Sequence, residues 1–312
     1  MTRRAPKGWG TPRSRGVPAL AVAALLLTAG CADEKGPAPS DAAESSSGPR
    51  PVLPTREVRE LTLPFDSYAL DSPQMAHITL AQDRLIASCM ADKGLKWKRL
   101  PRPEAKSWPH RGRYGLIEAE AARRYGYHPV PEPRAEARER WIARREAGLT
   151  PEQRSAAYGR DGKGGCEERA ARTLLKNVPR ADFEGLDRAA ASLYERSKRH
   201  PDVERAFRRW SACMREKGFS YSTPSAANND PRWQKASAKP TAKSSAKASR
   251  EERTTARADV LCKHSTSLVA VWRRTEAELQ RDEIDRHPER YALLHRARSH
   301  YMANVKAASG RR

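Results

Sequence analysis

The sequence predicts an all-α fold: two disulfide-stapled helical units joined by loops, with a disordered N-terminal linker before them and a long C-terminal helix. Three observations carry that expectation. Apolar residues recur with a 3.6-residue period in one segment after another, while no useful run of β-branched residues alternates with period 2. Helix starts and stops punctuate these segments, as at Ser72-Pro73, Gly94, Thr150-Pro151 and Gly218. A cysteine-bearing stretch also occurs twice, at "ASCMADKGLKW" from Ala87 and "SACMREKGFSY" from Ser211.

The first residues read as an address rather than as part of the fold. Residues 1–16 carry Arg3, Arg4, Lys7, Arg13 and Arg15 with no acid, and residues 17–29 carry no charge. A run of 13 apolar and small residues is shorter than the roughly 20 helical residues that cross a bilayer core, so it predicts an export signal over residues 1–30. Thr28, Ala29, Gly30 and Cys31 resemble the lipobox of bacterial lipoprotein precursors. That family prefers an aliphatic residue where Thr28 stands, and Leu27 sits one position early. The resemblance implies cleavage before Cys31 and lipidation of its thiol, which anchors the chain to the membrane, since two or more acyl chains on one residue hold stably where one is marginal. Residues 31–56 are rich in Pro, Ser, Gly and Ala and predict a disordered tether, spanning about 25 to 30 Å as a coil.

The folded part is expected from residue 57 onward. A helix starts at Ser72, taken as N-cap with Pro73 at the first helical position, and places Met75, Ile78, Leu85, Ile86, Cys89 and Met90 near one face. After Gly94 come a basic, Pro-rich and aromatic loop, short helices around residues 116–125 and 135–147, and a start at Thr150-Pro151. Cys166 opens a further helix. Helices around 184–199 and 201–217 are split at His200-Pro201, because proline cannot continue the first. Residues 222–250 are low in complexity, and the remainder is helical, with Leu261, Leu268, Trp272 and Leu279 on one buried face and a break at His287-Pro288. With 38% hydrophobic residues and four Phe, two small packed units, 57–180 and 181–312, are expected rather than one large core.

In the repeated stretch, Cys89, Met90, Lys93, Gly94, Leu95 and Trp97 answer to Cys213, Met214, Lys217, Gly218, Phe219 and Tyr221. Each glycine is placed as a helix C-cap, and each lysine lies where it suits the helix dipole. One more cysteine follows each copy, Cys166 in "GGCEERAARTLL" and Cys262 in "RADVLCKHSTSLVAVW". Four cysteines in an exported chain predict two disulfides with three possible connectivities. The repeat most simply pairs Cys89 with Cys166 and Cys213 with Cys262, each bridge stabilising by about 2 to 4 kcal/mol. The short C-x-x-C knuckles of zinc sites are missing, so no metal and no cofactor are expected, and His264 reads as a surface histidine.

Together with "NNDPRWQ", "RYGL", "RRYGYH" and "GLTPEQRSAAYG", these segments resemble a group of uncharacterised exported lipoproteins of actinobacteria with repeated Cys-Met-x-x-x-Gly units. The resemblance implies export, disulfides and helical structure, and it brings no catalytic residue.

The formal charge is +22; removing the five cations of the signal leaves 55 basic against 38 acidic residues, or +17. One stretch, residues 96–114, concentrates Lys96, Lys98, Arg99, Arg102, Lys106, Arg111 and Arg113 against the single acid Glu104, with Trp97, Trp108 and Tyr114 interleaved. A second, residues 232–250, holds six basic residues and no acid. Such patches attract polyanions through counterion release. For an extracytoplasmic protein the polyanions at hand are wall polymers and lipid head groups, and no nucleic acid is expected. The expectation is therefore a lipid-anchored binding or scaffolding protein of the cell membrane's outer face; the alternatives are a protein-interaction module using the C-terminal helix and an envelope enzyme. Gly-x-Ser-x-Gly, His-Glu-x-x-His, the P-loop and the Gly-rich dinucleotide turn are all absent. Glu118 with Glu120 and Asp282 with Glu283 are pairs of the kind a charge-dense chain produces by chance, so no enzyme is expected.

Overall fold

The structure is a computed structural model that describes residues 52–102, 108–160, 162–235 and 248–310. The expected signal, Cys31 and residues 31–51 of the expected tether lie outside the described residues. Among the described residues all regular structure is helical, with no strand beyond one isolated bridge between Arg160 and Lys163.

The helices in chain order are α1 (Arg56–Arg59), a 3₁₀ turn (Pro64–Ser67), α2 (Ser72–Ala91), α3 (Ala119–Tyr125), α4 (Pro133–Ala147), α5 (Pro151–Tyr158) and α6 (Cys166–Leu174). They continue as α7 (Phe183–Lys198), α8 (Pro201–Glu216), α9 (Pro224–Asn228), α10 (Pro231–Lys235), α11 (Arg250–Ser265), α12 (Leu268–Arg286) and α13 (Pro288–Gly310). Local chemistry sets most boundaries. Thr150 caps α5 and exchanges hydrogen bonds with Gln153, with Pro151 in the first turn, as the spacing predicts. At α2 the cap is Asp71 rather than Ser72: its carboxylate accepts from Gln74 N while Gln74 Oε1 accepts from Asp71 N. A carboxylate at that position satisfies a free amide and suits the positive helix end, so it outcompetes the serine hydroxyl one residue on.

Both copies of the repeat end their helices identically. Leu95 N donates to Met90 O and Gly94 N to Ala91 O; Phe219 N donates to Met214 O and Gly218 N to Arg215 O. This is the Schellman pattern, and it needs a left-handed residue, which Gly94 (φ +70°) and Gly218 (φ +84°) supply. The methionine and the large apolar residue of each copy pack into the same cluster, Met90 with Leu95 and Met214 with Phe219. The spacing Cys-Met-x-x-x-Gly-apolar is thus the signature of a helix terminus with its hydrophobic contact. Two disulfides form, Cys89–Cys166 and Cys213–Cys262, the pairing the repeat predicts.

The stapled stretches do not pack as two separate units. Val52–Arg312 is one compact body. Its largest apolar cluster joins Val58, Leu61, Tyr114 and Ile117 to Trp210, Met214, Leu268 and Trp272, so residues on both sides of the expected 180/181 boundary share one interior. The C-terminal helix α13 crosses back to pack on α2 and α6 of the first stretch. One small cluster, around Cys89–Cys166, lies wholly within the first stretch, while the central cluster draws on both.

Four further expectations are corrected. Residues 52–56, assigned to the tether, belong to the folded body: Val52 is buried and Thr55 caps α1. Part of the low-complexity stretch is ordered, because Thr223 caps α9 and Trp233 of α10 is buried; residues 236–247 lie outside the described residues. The C-terminal region breaks twice, first at Ser267, whose φ of +51° ends one helix and starts another. That early break takes Leu261 off the buried face, leaving it 57% exposed, while Leu268, Trp272 and Leu279 remain inside. Met75, counted on the apolar face of α2, is exposed as well.

Candidate functional site

The basic stretch that begins at Lys96 is fastened to the body by a buried carboxylate. Asp83 of α2 accepts from Trp97 Nε1 (3.0 Å), Leu100 N (2.8 Å) and Arg145 Nη1 (2.8 Å). The Arg145 guanidinium lies 4.5 Å from the Trp97 ring centre and 5.7 Å from that of Trp141, and it also donates to Lys98 O. Gln153 Nε2 donates to Lys96 O (3.0 Å). Between these fixed points Lys96, Lys98, Arg99 and Arg102 project outward and exposed. None of the four has an ion-pair partner among the described residues. Lys106 and Glu104 lie outside the described residues.

Arg111 and Arg113, expected on the same polyanion-binding surface, are spent internally. Arg111 Nε donates to Glu118 Oε2 (2.7 Å), and Glu118 is itself buried. Arg113 Nε lies 3.0 and 3.1 Å from the two carboxylate oxygens of Glu276, which is fully buried on α12. Tyr114 Oη and Gln280 Nε2 also donate to Glu276, and Tyr194 Oη donates to Arg113 O. Burial, and then the Glu276 charge, push the Tyr114 hydroxyl far above its ordinary range. These bidentate pairs pin the loop to the core, because a buried carboxylate without its guanidinium is costly. Sequence spacing cannot separate the two uses of arginine; the partner Glu276 lies 163 residues away.

The carboxylate pairs divide in the same manner. Glu118 faces inward to Arg111, while Glu120 is exposed and paired with Arg123. Glu283 is held by Arg286 at 3.1 Å, and its neighbour Asp282 is exposed. His264 is exposed, as expected, and its Nε2 lies 3.1 Å from Ile117 O. Asp259 and Lys263, one turn apart on α11, form a fully buried pair. Lys263 Nζ donates to Asp259 Oδ2 (2.9 Å) and Leu116 O (2.8 Å), and Trp210 Nε1 donates to Asp259 Oδ1 (2.9 Å). Burial raises the Asp259 pKa, and Lys263 and Trp210 oppose that shift.

A cationic surface that the sequence reading did not single out lies between the 3₁₀ turn, α12 and α13. Here an open cleft of about 1000 Å³ is rimmed by Arg273, Arg274 and Arg281 from α12 and by His295 and Arg298 from α13. Asp66 is the acid on its wall, and its oxygens are taken by Leu63 N (2.8 Å) and His110 Nε2 (2.9 Å). Arg298 Nε donates to Gln74 Oε1, and Arg274 lies 4.0 Å from Glu278. The α12 arginines recur at helical spacing, with Ala270 one turn before them and Ala277 between them. That half of the cleft was legible in the sequence, but the return of α13 beside it was not.

No family model, curated protein or solved structure matches the chain.

Proposed function

We propose that the protein is a lipid-anchored binding or scaffolding protein of the extracytoplasmic membrane face, tethered through Cys31, that contacts anionic envelope polymers or lipid head groups. One observation carries the reading: Lys96, Lys98, Arg99 and Arg102 stand exposed, with no ion-pair partner among the described residues, on a backbone already fixed by Asp83, Arg145 and Gln153. Fixed cations meet a polyanion without first being ordered, which lowers the entropic cost of contact. No helix of the described residues is long and apolar enough to cross a membrane, and lipid on Cys31 supplies attachment in this proposal. The alternative of a module that pairs its C-terminal helix with a partner has less to work with, since Tyr291, Leu294, Ala297, Tyr301, Val305 and Ala308 of α13 are already buried.

The test is co-sedimentation of the native chain with wall polymer and with anionic vesicles, across a salt series. Binding at low salt that fades as salt rises is expected, and the Lys96→Ser/Arg99→Ser variant should bind more weakly. Absence of binding at low salt would remove the polyanion reading. A native N-terminus at Met1, or no acyl mass on Cys31, would remove the anchor.

A further inference from the structure

We infer that the cleft between the 3₁₀ turn, α12 and α13 is a discrete binding site for a linear ligand carrying two or more phosphate groups. This deepens the polyanion reading and rests on it for the ligand's charge, but it uses different residues from the Lys96 segment.

Of the three α12 arginines on this wall, one has an acid a turn away, Arg274 with Glu278, as Arg140 has Glu136 and Arg188 has Glu184 elsewhere. Arg273 and Arg281 have no acidic partner among the described residues, and the cleft's own acid, Asp66, already holds His110 and Leu63 N. Like charges gathered in a concave wall raise the local potential and attract an anion. The guanidinium fork matches phosphate oxygens two at a time, which gives it geometric selectivity that an ammonium lacks.

Spacing favours a ligand with several linked phosphates. Arg273 and Arg281 are eight residues apart, about 12 Å along the helix axis. Arginine side chains are long enough to lean together across that spacing, so a short chain of linked phosphates can be held by both at once, with more guanidinium contacts than a single phosphate offers. Ala277 lies between them and leaves the floor low enough for such a chain to follow α12. Arg298 reaches in from α13, fixed through Gln74, and supplies a contact from the opposite wall.

Calorimetric titration of the purified full chain at 50 mM NaCl and pH 7 tests this, with linear tripolyphosphate, inorganic phosphate and vesicles containing cardiolipin, whose head group carries two phosphates, as probes. Saturable tripolyphosphate binding at least tenfold tighter than inorganic phosphate is expected. Arg273→Ser/Arg281→Ser should weaken it tenfold or more and the milder Arg281→Gln about threefold, with circular dichroism unchanged; Lys96→Ser/Arg99→Ser should stay within twofold. Vesicles that displace tripolyphosphate identify a head-group phosphate as the natural source; vesicles that do not identify a soluble polymer. The site is overturned by an absence of saturable tripolyphosphate binding, by equal affinity for inorganic phosphate, or by a cleft variant within twofold of the unaltered chain. If vesicle or wall-polymer binding persists in any of those cases, the cleft fails while the broader polyanion reading stands.

Discussion

The Cys89–Cys166 and Cys213–Cys262 stretches share one helix terminus but rest on different interiors. In the first, the half-cystines sit among Ile86, Met90, Ala157 and Ala170, a small cluster with Leu95, Trp97 and Tyr158 at its edge. In the second, Cys262 belongs to the central cluster, where Trp210 is fully buried and the rings of Tyr114, Tyr194 and Phe207 lie 5.2 to 5.4 Å from that of Trp272. The same six-residue signature therefore ends a helix in both places without saying what holds that helix down. A small apolar cluster leaves the first stretch dependent on its bridge and on polar ties to Asp83, while aromatic burial carries the second.

The most severe test of that contrast is electrostatic. Lys263→Met should cost about 3–5 kcal/mol, because it strands the Asp259 carboxylate with Trp210 as its remaining donor. Adding Asp259→Leu should recover most of the loss, as seen by urea denaturation. Arg145→Met in the first stretch should cost less, since Trp97 and Leu100 still donate to Asp83. Equal costs would erase the distinction.

Removing the bridges comes next. Loop closure over 77 and 49 residues gives similar entropic contributions, about 4 kcal/mol each. The consequences should still differ by place. Cys89→Ala/Cys166→Ala should raise hydrogen exchange chiefly in α5 and α6, whereas Cys213→Ala/Cys262→Ala should lower protection across the whole body. Uniform loss in both variants would show that the first stretch has no local weakness.

An intermediate effect is expected in alkali. Burial raises the tyrosine pKa values of Tyr114, Tyr127, Tyr194 and Tyr221 around the central cluster, the last to about 12, but among the described residues only that of Tyr158 beside Cys89–Cys166. Tyr291 and Tyr301 are pushed up to about 12 as well. The native state then keeps protons that the unfolded chain releases near pH 10, so stability is intact below pH 10 and falls as pH climbs towards 12. Denaturation midpoints should be flat from pH 8 to 9.5 and then drop, with the near-ultraviolet signal of the central tryptophans failing first.

The smallest effect is one that should be the same in both stretches. A Cβ at Gly94 or Gly218 meets no atom within 4 Å, so Gly94→Ala and Gly218→Ala carry only the cost of a left-handed backbone, about 1 kcal/mol each. Markedly different costs would mean the two termini are not equivalent.

How much of this was visible in the chain follows from the range of the forces involved. Proline starts, threonine caps, C-terminal glycines and the cysteine pairing were legible, because each depends on residues within a turn or on an internal repeat. Within the basic stretch, Lys96, Lys98, Arg99 and Arg102 proved exposed. Arg111 and Arg113 did not, because their carboxylates come from Glu118 across a turn and from Glu276 at the far end of the chain. The cleft was half legible: the α12 arginines share a face by spacing alone, but His295 and Arg298 join them only through the path of α13.

By itself, then, the amino-acid sequence determined the helices, their ends and the two bridges, since hydrogen bonds to caps and the allowed φ of glycine act over a few residues. Tertiary structure alone decided that the two stapled stretches share one interior, which arginines are buried counter-ions and which stay available to an anion. Those outcomes depend on which distant surfaces exclude water together, and apolar burial has range in space but no address in the chain.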